Sequence, residues 1–105
     1  MIQTPNISQT IQYQKDSVVS KEIVHKAAGT VSLFAFDQGQ GLSEHSTPYR
    51  AFVSVLDGVA QITVSGVIHQ VKTGQMLPMP ANVPHSLKAQ EPFKMMLTMV
   101  KSSMS

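Results

Sequence analysis

The sequence predicts an all-β domain, an antiparallel sandwich or barrel. Three observations lead there. Runs of about five to eight residues are rich in β-branched and aromatic side chains. Turn signals built from Gly, Pro, Asn and Asp recur every eight to twelve residues or so. No window of useful length carries the 3.6-residue apolar period of an amphipathic helix.

The first 20 residues are rich in Gln, Ser and Thr and read as an N-terminal arm or an edge strand. Residues 22–26 form a short strand before a turn at Ala27-Ala28-Gly29. Residues 30–36 (TVSLFAF) are apolar on both faces, so this strand is covered on both sides. Residues 37–41 hold two glycines and form a loop. Residues 50–56 (RAFVSVL) make the next strand, ended by Asp57-Gly58. Residues 59–64 alternate, with Ala60, Ile62 and Val64 on one face and Gln61 and Thr63 on the other. Ser65-Gly66 is a two-residue hairpin connection to residues 67–72. Thr73-Gly74 turns the chain into a short strand at 76–79, broken at Pro80-Ala81-Asn82. Strands at 85–89 and 93–100 complete the set, and residues 101–105 read as a frayed tail.

At 105 residues the chain is one domain. Cysteine is absent, which excludes disulfides, thiolate metal sites and a cysteine nucleophile. The N-terminus lacks the basic start and apolar run of a signal peptide, and no stretch approaches the ~20 apolar residues of a membrane span. A soluble cytoplasmic protein with no membrane partner is expected. Net charge is only +2, with 13% of residues charged. The lysines are scattered, so the dense basic stripe of a nucleic-acid binder is missing. So little surface charge points to a homodimer in which a partner subunit covers apolar surface.

Residues 39–89 carry the chemistry. Two segments punctuated by glycine or proline each deliver one histidine, read as standing at a strand start: GQGLSEHSTPYRAFVSVLDG and GQMLPMPANVPHSLKA. They resemble the two motifs of the cupin superfamily in its small single-domain conserved-barrel (cupin 2) form. The first motif frame falls on Gly39, His45, Thr47, Ala51 and Gly58, and the second on Gly74, Pro80, Asn82, His85 and Ala89. The spacing agrees throughout, and the resemblance covers residues 30–100. It implies a jelly-roll β-barrel. It also implies a metal held by two histidines and a glutamate of the first motif and one histidine of the second. Here Thr47 stands in place of the second histidine and Ala51 in place of the glutamate. Asn82 replaces a glycine, and asparagine is the usual substitute at positive φ.

By strand alternation His45, Thr47 and Tyr49 share one face, Glu44 faces away, and His85, Leu87 and Ala89 share another face. His45 and His85 are therefore the candidate metal ligands. Thr47, Tyr49, Ala51, Val53, Met79 and Leu87 are the candidate pocket residues, with Val55 as a further wall. No cofactor is certain. Two imidazoles without a carboxylate would hold a divalent ion (Zn, Ni, Fe or Mn) only weakly. Seven methionines raise a second option, since thioether plus imidazole suits Cu(I). The favoured reading of these methionines is that they fill gaps in a barrel core.

His69, between Val67 and Val71, reads as a packing histidine, and His25 as a surface or interface residue. No acid–base carboxylate pair, Ser-His-Asp set or phosphate loop is visible. Three functions stand side by side. The favoured one is a small-molecule-binding barrel with a degenerate two-histidine site. The second is a metal-dependent oxygenase, isomerase or lyase acting on a small polar metabolite. The third is a structural or assembly module without a ligand. The substrate itself is not readable from the residues.

Overall fold

A computed structural model describes residues 2–101. The order is a 3-10 turn Ile7–Gln9, then β1 (Val18–Lys26), β2 (Gly29–Phe36), β3 (Gly41–His45), β4 (Tyr49–Asp57), β5 (Val59–Val64), β6 (Val67–Lys72), β7 (Met76–Met79), β8 (His85–Lys88) and β9 (Phe93–Lys101). Two antiparallel sheets face each other as a jelly roll. One has the order β1-β2-β9-β4-β7 and the other β3-β8-β5-β6. The tail expected to fray lies, beyond Lys101, outside the described residues.

The alternating runs build this core directly. Val53 and Val55 of β4 point between the sheets, as do Ala60 and Ile62 of β5, Leu87 of β8 and Met95 of β9. Phe36 and Phe93 stack at the centre, with ring centroids 4.6 Å apart. The Ser65-Gly66 connection has positive φ at both residues (49° and 79°), the twist a tight two-residue hairpin needs.

The N-terminal segment does more than decorate an edge. Ile11 is buried with Leu33 and Ala35 on the outer face of the five-stranded sheet, beside Tyr13, Val19, Leu56 and Met96. The C-terminal half of β2 is therefore covered on both faces, by the main core and by the arm, whereas residues 30–32 of the apolar run are only half-buried. The Tyr13 hydroxyl donates to the Asp57 carboxylate at 2.6 Å. Lys94 Nζ donates to the Ser8 carbonyl at 2.6 Å and lies 4.9 Å from the Tyr13 ring centroid. Lys94 is buried, so its charge is held by that carbonyl and that ring.

Two sequence expectations change here. β1 is a nine-residue strand beginning at Val18, with a register shift between Glu22 and Val24, rather than a short strand at 22–26. Residues 41–45, expected to be loop at their start and unassigned after it, form β3.

Candidate functional site

The two motif histidines are brought together as cross-strand partners. His45 of β3 sits opposite His85 of β8, and their rings meet edge to face with centroids 4.3 Å apart. A bulge makes this possible. Leu42 pairs with Leu87, but the next pair is His45 with His85, so β3 spends three residues where β8 spends two. Leu87 and His85 share the interior face by alternation, and both are buried. An unbulged β3 would set Glu44 opposite His85 and turn His45 outward. The extra residue restores the phase, a common role of bulges beside functional sites. His45 stands at the end of its strand, not the start, while His85 opens β8.

Both rings are held the same way. His45 Nδ1 lies 2.7 Å from the Ser43 carbonyl, and His85 Nδ1 lies 3.0 Å from the Val83 carbonyl. A carbonyl only accepts, so in each neutral imidazole Nδ1 carries the proton and Nε2 keeps its lone pair. That tautomer accepts a hydrogen bond or binds a metal through Nε2. His85 is buried and His45 is exposed, so the pair can be approached from the His45 side.

The other proposed site residues divide. The expectation that residues 45, 47 and 49 lie on one continuous strand face does not hold. β3 ends at His45 and β4 begins at Tyr49, so Thr47 lies in the connection. Pro48 lacks the N–H that would continue a ladder. The Thr47 carbonyl accepts the Asn82 N–H at 2.7 Å, and its hydroxyl accepts the Tyr49 N–H at 3.3 Å. Asn82 makes that contact at φ 64°, in the left-handed region. Tyr49 is half-buried at the strand end. Ala51, Val53, Met79 and Leu87 are buried in the core between the sheets, as is Val55. Val53 is 0% exposed, so at its level the interior is filled by side chains.

The remaining histidines are elsewhere. His25 is exposed and paired with Glu22 at 2.9 Å. His69 is half-buried and lines a groove of about 600 Å³ between β6 and β7, with Met76 and Leu77. Sequence reasoning missed this groove because it forms only where the edges of two sheets face each other.

The donor set does not fit the divalent metal the family usually holds. Ala51 offers no donor, and the Thr47 hydroxyl is engaged in its loop. Among the described residues no group of three or more His, Cys, Asp or Glu side chains is placed to hold an ion. No helix among them is long and apolar enough to cross a membrane.

A family model described as a cupin domain matches residues 32–101. No curated protein matches. A conserved protein of unknown function from Streptococcus pyogenes is similar, with 33% identity and a TM-score of 0.94 over 99% of this chain and 91% of that one. A cupin 2 conserved barrel domain protein from Leptotrichia buccalis shares 37% identity with a TM-score of 0.87. That match covers 90% of this chain but only 46% of the other, so this chain spans just under half of it. A cupin superfamily protein from Desulfitobacterium hafniense, at 22% identity and a TM-score of 0.92, shares the fold.

Proposed function

This chain belongs to the cupin superfamily, and from that premise we propose that its barrel binds a small molecule at the His45–His85 end. One observation carries the reading: two cross-strand imidazoles, each with Nδ1–H donated to a backbone carbonyl, leave two Nε2 acceptors side by side. Such a pair suits a ligand with hydrogen-bond donors, such as a hydroxylated or amino compound. Tyr49, which opens β4, and Thr47 in the connection before it would flank the pair, and the buried Ala51, Met79 and Leu87 would supply the apolar floor. No catalytic step is assigned, because no acid–base pair accompanies the histidines.

The test is a thermal-shift screen of small polyols, amines and hydroxy acids against the parent, His45→Ala and His85→Ala. Stabilisation by a ligand class that both variants lose supports the reading. A ligand that stabilises all three proteins equally would overturn it.

A second reading has its own support. The interior beside Val53 and Ile62 is sealed, which suits an assembly module without a ligand. Exposed Ile23, Val24 and Val100 lie on strands of the five-stranded sheet, and we propose that a second copy covers them in a homodimer. Sedimentation of the purified protein across a concentration series checks this; a monomer throughout would sink the dimer.

A further inference from the structure

We infer that the His45–His85 end of the barrel is a site for a soft monovalent metal, Cu(I), completed by the thioethers of Met79 and Met99. The inference rests on the reading of His45 and His85 as a binding pair and names the ion that this pair would take.

The register places the four side chains at one end of the barrel. In the five-stranded sheet Ala51 pairs with Met99 on one side and Met79 on the other. All three face the interior: Ala51 and Met79 are buried, and Met99 packs against the same core cluster. In the facing sheet His85 pairs with His45 on one side and Val64 on the other. Gly58 carries the chain from one sheet to the other. Ala51 lies seven residues before that corner and Val64 six after it. At roughly 3.3 Å per residue the two rows sit at nearly the same height along the barrel. Packed sheets lie about 10 Å apart, so long side chains from both rows extend into the same gap. The bond from the Asn82 N–H to the Thr47 carbonyl ties the loops at this same end.

The chemistry of this set differs from the family's in a definite direction. With Ala51 where a carboxylate would stand, every donor is neutral: two imidazole nitrogens and two thioether sulfurs. Nothing offsets a double positive charge, and the cost of burying an ion grows with the square of its charge. A monovalent soft ion avoids that cost and prefers thioether and imidazole donors. Among the described residues the other methionines do not compete. Met76 is exposed, Met96 packs on the outer face under the arm, and Met95 lies further along the barrel beside Val55.

The experiment titrates the full chain with Cu(I) under anaerobic conditions against a chromophoric Cu(I) chelator, and separately with Zn(II). The proteins are the parent, the double variant Met79→Leu with Met99→Leu, and His85→Ala. Leucine conserves volume, so the methionine variant keeps its core; circular dichroism confirms the fold. Expected are one Cu(I) per chain, at least tenfold weaker binding in the methionine variant, loss in His85→Ala, and Zn(II) at least a hundredfold weaker than Cu(I). X-ray absorption on the copper-loaded parent should show sulfur scatterers. Unchanged affinity in the methionine variant, absence of sulfur, or Zn(II) bound as tightly as Cu(I) would overturn the inference. Those outcomes leave ligand binding by the histidine pair standing, because that is judged on the histidine variants alone.

Discussion

Putting the missing ligands back into the frame tests whether positions 45, 47, 51 and 85 converge. The double substitution Thr47→His with Ala51→Glu supplies a third imidazole and a carboxylate. Its cost without metal can be worked from the structure. Replacing Thr47 removes one long side-chain hydrogen bond to the Tyr49 N–H, about 0.5–1 kcal/mol. Ala51 is 2% exposed between Met79 and Met99. A glutamate there overpacks the row, at about 1–3 kcal/mol, and buries an unpaired carboxylate, at several kcal/mol if it stays ionised. The apo variant should therefore lose roughly 3–5 kcal/mol, a large share of the ~5–15 kcal/mol typical of a domain. At ~4–8 °C per kcal/mol the melting temperature falls by roughly 12–40 °C. A divalent ion at a thousand times its Kd should return about 4 kcal/mol. The assay is thermal melting by circular dichroism, with and without Zn(II) or Ni(II), for parent and variant. An apo variant as stable as the parent would mean that position 51 does not face a dry interior. A destabilised variant that metal does not rescue would mean that the four positions do not meet at one point.

Three further predictions concern the scaffold. Tyr13→Phe should cost about 0.5–1.5 kcal/mol in urea unfolding, because it removes the hydrogen bond to the Asp57 carboxylate, which is exposed and stays hydrated. Burial, reinforced by the hydrogen bond to Asp57 and its charge, pushes the Tyr13 hydroxyl pKa well above the usual tyrosine value. Its contribution to stability is therefore full below pH ~10, where unfolded tyrosine titrates, and is lost as pH rises from there through the folded value; the Phe variant should show a flatter alkaline limb. Gly58→Ala should cost at least ~2 kcal/mol, because φ is +79° and an added Cβ collides with the Pro92 carbonyl. Asn82→Gly, at φ 64°, should change stability by no more than a few tenths of a kcal/mol. Chemical denaturation checks both, and an Asn82→Gly loss as large as that of Gly58→Ala would refute the backbone argument.

Much of the sheet was legible residue by residue. The strands at 59–64, 67–72 and 76–79 have the expected bounds, because a period of two flanked by Ser-Gly, Thr-Gly and Pro-Ala-Asn leaves little room for slippage. The positive φ of Asn82 was readable from one residue type in a motif frame. The segment 41–45 was not legible as a strand. Its polar Ser43, Glu44 and His45 hide the alternation, and its partner β8 lies some forty residues away in sequence. The arm was readable only as polar chain, since Ile11 and Tyr13 are isolated apolar residues whose burial depends on a sheet face formed elsewhere.

The sequence by itself determined the barrel and the identity of its two histidines. Turn chemistry and strand period are local properties, and the spacing of two motifs survives even where their ligands have changed. Only the tertiary structure decided how the histidines meet. A one-residue bulge in β3 sets the phase that turns His45 toward His85, and two backbone carbonyls set the tautomer of both rings. It also decided which methionines share their end of the barrel, because Met79 and Met99 become neighbours of Ala51 only through pairing between β7, β4 and β9. Register between distant strands is a cooperative property of the folded sheet, and no single segment encodes it.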